Sequence, residues 1–337
     1  MSFSFWLAIF CVTSSTNGLP LLEKNADLRN PFVGFYVFPH GGVTLDPASM
    51  NYSSEPAFKK GSQEKSIQLH DAMQQAADDL MKSKPDRIIF STPHGFHLTD
   101  NHVIVSTPTV YGTAGWIWSN FTAEFDIDMD LSGILNAELQ SANNHVDLMT
   151  LGVGHETLPL LWAEVIPWYF IRKAAIKAGL PLPPALYIGQ PTNVNIDNLR
   201  NIGRDISKVA LLRKEFADRK IAVVISGDLS HYHSNDKNSP YPYSLVSKVF
   251  DEFVVNWAKM DMNAETEDAS SKEILEKAGG IQNEAGHCGY TGFAMLHGML
   301  EELVHQDWRF KSHFYTYQVP TYFGMMVSSW LPDVSSS

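Results

Sequence analysis

Residues 221–233 contain the sequence feature that most constrains the fold. They begin with five consecutive apolar residues, 221–225 (Ile-Ala-Val-Val-Ile). An apolar run without two-residue alternation is typical of a strand that is covered on both faces, as in a parallel sheet. Gly227 then permits a sharp turn, and polar residues that include Asp228 and His231 follow it. The pattern predicts a central strand with a polar site at its carboxyl end.

Two other apolar segments end in the same way. Residues 35–38 (Phe-Tyr-Val-Phe) are followed by His40, and residues 87–91 (Arg-Ile-Ile-Phe-Ser) are followed by His94. Ligands of open α/β sheets bind in the crevice beyond the carboxyl ends of the strands. We therefore expect the imidazoles of His40, His94 and His231 to share one site.

The order of the segments predicts an α/β fold. A helical pattern of apolar residues over 60–84 separates two predicted strands, which makes a β–α–β unit. No linker long enough to separate two domains occurs in the sequence. We expect a single domain over residues 26–333, with a mixed, mostly parallel central sheet and helices on both sides.

The ends and the composition of the chain limit its partners and its location. The 37 acidic residues outnumber the 25 Lys and Arg residues, which gives a net charge of −12 and disfavours nucleic acid as a partner. An apolar run over 2–12 is too short to span a bilayer, so no integral membrane span is expected. With the small polar residues after it, the run predicts a signal peptide over 1–18 and a secreted or secretory-lumen protein. If the run is instead an apolar tail or a first strand, the protein is cytoplasmic.

His40, His94 and Cys288 are residue types that bind transition metals, and Glu284 is a nearby carboxylate. Two imidazoles, from His40 and His94, and one anionic donor can occupy one face of an ion and leave positions for substrate and oxygen. Cys288 and Glu284 are both available as the third donor, so the residues alone leave that ligand open. They also leave structural roles open, because a histidine after a strand is often a hydrogen-bonded packing residue. A single cysteine is likewise often a small buried side chain.

Five short motifs give the chain a resemblance to a known superfamily. They are residues 38–41 (Phe-Pro-His-Gly), 91–95 (Ser-Thr-Pro-His-Gly), 226–231 (Ser-Gly-Asp-Leu-Ser-His), 288–289 (Cys-Gly) and 322–325 (Tyr-Phe-Gly-Met). In this order they resemble the class III extradiol ring-cleavage dioxygenases. That superfamily includes the protocatechuate 4,5-dioxygenase β-subunit and the non-catalytic Memo-like proteins.

The resemblance implies a function and a set of roles. His40 and His94 match the two metal-ligand histidines, and His231 matches the acid/base histidine. Cys288 falls where ring-cleaving members have a Glu or Asp ligand and Memo-like proteins have Cys. The implied activity is Fe(II)-dependent opening of a catecholic ring with O2, and a thiolate ligand would also suit Cu or Zn. The alternatives are a Memo-like metal-binding redox or interaction protein and metal-assisted hydrolysis.

Some positions stay open at this point. Some ring-cleaving members have another catalytic histidine, and Trp162 or, with a one-residue gap, His155 occupies its place. Trp116, Trp118 and Tyr290 are candidates for an aromatic pocket wall or for core packing, the first two within a loop predicted over 113–118. Assembly into a homo-oligomer is also left open.

Overall fold

The structure, a computed structural model, describes most of the chain. It covers residues 28–48, 61–116, 119–152, 156–192, 195–237, 239–264 and 270–333. The predicted signal peptide over 1–18 lies outside the described residues, as do Trp118 and His155. The signal peptide, secretion and the domain bounds 26–333 therefore stay predictions.

An eight-stranded sheet forms the centre of the fold. The described strands are β1 (Phe32–Phe38), β2 (Arg87–Thr92), β3 (His102–Val105), β4 (Thr109–Trp116), β5 (Ser119–Asp126), β6 (Val146–Met149), β7 (Leu158–Leu160), β8 (Ala185–Gly189), β9 (Ile221–Ser226), β10 (Phe310–Gln318) and β11 (Met325–Pro332). The large sheet has the order β10-β11-β1-β9-β2-β8-β3-β6, and β5-β4-β7 form a second sheet. Strands β1, β9, β2 and β8 are parallel, whereas β11 joins β1 and β3 joins β8 antiparallel. The predicted mixed sheet is confirmed.

Helices cover both faces of this sheet. They are α1 (Ser62–Lys82), α2 (Met129–Ser141), α3 (Trp162–Ala178), α4 (Ile196–Leu212), α5 (Lys214–Ala217), α6 (Val246–Ala258), α7 (Lys272–Ala285) and α8 (Tyr290–His305), with a short 3-10 helix at Gly42–Thr44. Apolar residues of α1 and α3 fill one hydrophobic layer, and those of α2, α4, α6, α7 and α8 fill the other. The predicted single α/β domain is thus confirmed. None of the helices in the described ranges has the length and apolar character needed to cross a bilayer.

Alternate residues of the central strand serve the two layers. In β9, Val223 and Ile225 belong to the layer with α4 and α8, whereas Ala222 and Val224 belong to the layer with α1 and α3. All residues of this strand are buried. Because both faces of the strand are covered, polar residues are not required at alternate positions, and an uninterrupted apolar run fits here.

The prediction of a loop over 113–118 is wrong for residues 113–116. These residues continue β4, which pairs antiparallel with β5 as far as Trp116 opposite Ser119. Ladder hydrogen bonds satisfy the backbone here, and this pairing overrides the weak strand preference of the small residues. Tyr290 belongs to the core, because it is fully buried and its hydroxyl donates to the Leu275 carbonyl oxygen at 2.8 Å.

Helices α4 and α8 approach so closely that only glycine fits at their contact. A Cβ on Gly203 would overlap the carbonyl oxygen of Met295, and a Cβ on Gly298 would overlap that of Arg200. Since both obstacles are backbone atoms, a larger residue would force the two helices apart. The contact therefore fixes the position of α8 relative to the sheet.

Gly203→Ala is expected to destabilise the protein by about 1–3 kcal/mol, because an added methyl group cannot be accommodated without moving a helix. Gly133→Ala is the matched control, since Gly133 lies within α2 and a Cβ there would have no atom within 4 Å. That substitution should stabilise the helix by about 0.5–1 kcal/mol. Urea unfolding midpoints of the two variants test this, and equal midpoints would contradict the packing argument.

Candidate active site

The candidate site lies beyond the carboxyl ends of three adjacent parallel strands. His40 follows β1, His94 follows β2, and Asp228 and His231 follow β9. Because β1, β9 and β2 are neighbours in that order, their ends meet at one edge of the sheet. The rings of His40 and His94 lie there with their centroids 5.0 Å apart.

Cys288 reaches the same edge from the connection between α7 and α8. Its Sγ lies 3.3 Å from Nε2 of His40. The backbone N–H of Asp228 donates to the same sulfur at 3.3 Å. One donor atom from each of His40, His94 and Cys288 lies within 4.8 Å of the other two. The structure therefore brings together the three residues predicted to hold a metal ion.

Two glycines allow this close approach. A Cβ on Gly227 would lie 2.5 Å from the Cα of Gly289. The N–H of Gly289 also donates to the carbonyl oxygen of Asp228 at 2.9 Å. A side chain at residue 227 would push the start of α8, and Cys288 with it, away from the end of β9.

Asp228, one of the polar residues predicted beyond the central strand, adds a carboxylate to the site. Its Oδ1 accepts the backbone N–H of His40 at 3.0 Å, and its Oδ2 lies 3.5 Å from Nε2 of His40. Asp228, His231 and Cys288 form a second group whose donor atoms lie within 4.8 Å of one another. Glu284, the other carboxylate considered, is exposed on α7 and belongs to neither group in the described part of the chain.

His231 presents an unpaired nitrogen. Its backbone N–H donates to the carbonyl oxygen of Gly286 at 2.9 Å, and its ring lies against Tyr241 and Phe323. Its Nε2 is buried and has no hydrogen-bond partner among the described residues. Burial, with contributions from His94 and His233, lowers the pKa of His231 to about 4. The ring is therefore neutral at neutral pH and can accept a proton.

Burial disfavours charge on the other donors as well. Burial lowers the pKa of His40 well below its ordinary value, and electrostatic interactions with His94 and His231 lower it further. Burial also lowers the pKa of His94 to about 4. Burial also raises the pKa of the Cys288 thiol well above its usual value, and Asp228 adds to this effect. A bound cation would supply the opposite charge that thiolate and carboxylate need here. The donor set thus fits a divalent metal ion.

A buried carboxylate, Asp251 of α6, fixes the turn that carries His231. Its Oδ1 accepts the backbone N–H of Ser230 at 2.9 Å. Its Oδ2 accepts the Tyr317 hydroxyl at 2.6 Å and lies 2.7 Å from Nε2 of His233. Local sequence does not indicate this role, because Asp251 is one polar residue among many in an amphipathic helix.

Trp162 lies beside His94, at the start of α3. Its ring centroid is 5.1 Å from that of His94, and 46% of its surface is exposed. In the comparison without gaps, Trp162 occupies the position of a further catalytic histidine of some ring-cleaving members. This chain therefore has an aromatic side chain beside a proposed ligand at that position. Because His155 lies outside the described residues, its assignment to that histidine stays a prediction.

Comparison with known families identifies the scaffold. The sequence model described as the catalytic LigB subunit of aromatic ring-opening dioxygenase matches residues 46–324. The chain belongs to this family. The resemblance to the class III extradiol dioxygenase superfamily is therefore confirmed. The matched range contains His94, His231 and Cys288, and His40 lies just before it.

Solved structures are also similar to the chain. One of them is the crystal structure of an uncharacterized protein from Escherichia coli K12, with 13% identity, 88% of this chain and 99% of that chain covered, and a TM-score of 0.49. No curated protein matches the sequence. LigB dioxygenases depend on a metal, which makes the cluster of His40, His94 and Cys288 the place to test for metal binding.

Replacement of Cys288 tests the donor set. Loss of a residue that only hydrogen-bonds to a metal ligand typically lowers metal affinity by about 10–100-fold. Cys288→Ser should lower the affinity for a divalent metal by more than this, because it removes a ligand. Cys288→Glu should keep the ion and favour Fe(II) over Cu or Zn, since a carboxylate is a harder donor. Metal content after dialysis measures both. Glu284→Gln is the control and should retain as much metal as the wild type. If Glu284→Gln lost the metal and Cys288→Ser kept it, Glu284 and not Cys288 would be the third ligand.

Proposed function

We propose that the protein is an extradiol dioxygenase that opens a catecholic ring with O2. The family supplies the coarser activity, aromatic ring opening. The observation that carries the finer proposal is the convergence of donor atoms from His40, His94 and Cys288, with His231 in a group that shares the same sulfur. His40, His94 and Cys288 are assigned as metal ligands, Fe(II) as the ion with Cu or Zn as alternatives, and His231 as the acid/base residue.

The proposed roles follow from the chemistry of each group. Fe(II), when bound, supplies Lewis-acid polarisation of the two catechol oxygens and redox access to O2. His231 is neutral at neutral pH, because burial lowers its pKa to about 4, and its unpaired Nε2 can take a phenolic proton. The negative charge of a substrate beside the imidazole of His231 would raise the pKa of His231 and favour transfer of the phenolic proton to it. The protonated ring can then return a proton to the ring-opened product.

Aromatic side chains around the site suit an aromatic substrate. Trp162 lies beside His94 on one side, and Tyr241 and Phe323 lie against His231 on the other. Trp162 and Tyr241 are each more than two-fifths exposed. Their rings can therefore stack on an incoming catechol in offset or edge-to-face contacts.

The thiol favours a second function. Cys288 is a softer donor than the Glu or Asp of ring-cleaving relatives, and soft donors favour Cu(I) or Zn. The alternative is a Memo-like metal-binding redox or interaction protein that uses His40, His94 and Cys288 without opening a ring. Trp162, in place of a further catalytic histidine, is consistent with this alternative.

Oxygen uptake separates the two functions. Protein loaded with Fe(II) without air should consume O2 with at least one member of a catechol panel and yield a product heavier by two oxygen atoms. His231→Gln should lower kcat by about 10²–10⁴-fold, the usual size of general acid–base catalysis, with metal content unchanged. His145→Gln, an exposed histidine before β6, is the control without effect. Iron-loaded protein that consumes no O2 with any catechol would overturn the dioxygenase and leave the alternative.

A further inference from the structure

Ser226, the last residue of β9, lies between His40 and the start of α3. Its Oγ lies 2.8 Å from Nδ1 of His40 and 2.6 Å from the carbonyl oxygen of Ala163. A carbonyl oxygen can only accept, so the Ser226 hydroxyl must donate its proton to Ala163. With that proton committed, the hydroxyl can only accept a hydrogen bond from His40.

This contact selects one tautomer of His40. In the neutral ring, Nδ1 must carry the proton and Nε2 must carry the free lone pair. Nε2 is also the atom that lies 3.3 Å from Sγ of Cys288. A metal ion binds the unprotonated nitrogen of imidazole, and the hydrogen bond at the other nitrogen decides which one that is.

Asp228 is a potential hydrogen-bond acceptor for the opposite tautomer of His40, with the proton on Nε2. Oδ2 of Asp228 lies 3.5 Å from Nε2 of His40. If Nε2 carried the proton, it could donate to this carboxylate, and the lone pair would be lost to the metal site. Ser226 opposes that arrangement, because protonation of Nε2 would leave two acceptors facing each other at Nδ1.

We propose that Ser226 is a positioning residue, which holds His40 in the Nδ1-protonated tautomer and thereby presents Nε2 to a metal ion. The inference rests on the proposed role of His40 as a metal ligand. Ser226 itself is not a ligand in this proposal, because its hydroxyl contacts Nδ1 of His40 and the proposed metal-binding atom is Nε2, on the other side of the ring.

The same turn of α3 supports the second histidine. The Trp162 ring lies against His94. Oε1 of Glu164 accepts the hydroxyl of Thr92 at 2.8 Å, and that hydroxyl accepts the backbone N–H of His94 at 3.3 Å. Two buried hydroxyl groups, each with its proton committed to α3, therefore hold the two proposed ligand histidines. The start of α3 fixes both the tautomer of one and the backbone of the other.

The tautomer can be measured without catalysis. In metal-free protein, the ¹⁵N chemical shifts of the His40 imidazole should show a protonated Nδ1. In Ser226→Ala, protonated Nε2 should become populated, and zinc affinity should fall by about 10–100-fold, as for other outer partners of a metal ligand. A wild-type His40 with its proton on Nε2 would overturn the proposal even if the variant fails to fold.

Ser91→Ala is the matched control. Ser91 is a fully buried serine of the neighbouring strand β2, and its hydroxyl accepts from Nε2 of Gln190 at 3.0 Å. This variant should leave the His40 tautomer and zinc affinity unchanged. Equal loss of zinc affinity in Ser91→Ala and Ser226→Ala would mean that general packing is responsible and would overturn the proposal. A tautomer that changes as expected, in protein that opens no catechol, would overturn the dioxygenase but not this inference.

Discussion

The backbone contact between Gly227 and Gly289 is the constraint on which the candidate site depends. Strand ends alone bring histidines and an aspartate to the edge of the sheet. The sulfur of Cys288 comes from a helix start, and it reaches His40 only because two residues without side chains meet there. The close packing of α4 against α8 fixes the same helix at Met295 and Gly298, farther along the chain. Backbone contacts thus bring the donor residues together, and side-chain hydrogen bonds such as that between Ser226 and His40 orient them.

The fold and half of the site follow from local features of the sequence. An apolar run without alternation has to be buried on both faces, and β9 is buried in this way. Parallel strands that each end in a polar residue must bring those residues together, which is how His40 and His94 were found. Cys288 follows no strand, so residue chemistry could only offer it beside Glu284 as a third donor, and the resemblance favoured it. Its place depends on the connection between α7 and α8.

The supporting residues could not be found in this way, because their roles lie in partners that are distant in the chain. Ser226 begins one of the five motifs, but its role is defined only by its partners: the Ala163 carbonyl oxygen accepts its proton, and Nδ1 of His40 donates to its oxygen. Asp251 likewise acquires its role from Ser230 and Tyr317. The prediction of a loop over 113–118 was wrong for residues 113–116 for the same reason, since pairing with β5 decided their conformation.

The exchange of a carboxylate ligand for Cys288 changes the softness of the proposed metal site more than its charge. A bound thiolate carries the same single negative charge as Glu or Asp, so a divalent ion is neutralised to the same extent. Sulfur, however, favours Cu(I) or Zn, whereas carboxylate oxygen suits harder ions. Asp228 bears on this choice, because its Oδ1 is tied to the His40 backbone while its Oδ2 faces His40 Nε2 at 3.5 Å. Asp228 keeps an oxygen donor within 4.8 Å of the sulfur, so a site that used both would suit harder ions better than Cys288 alone does.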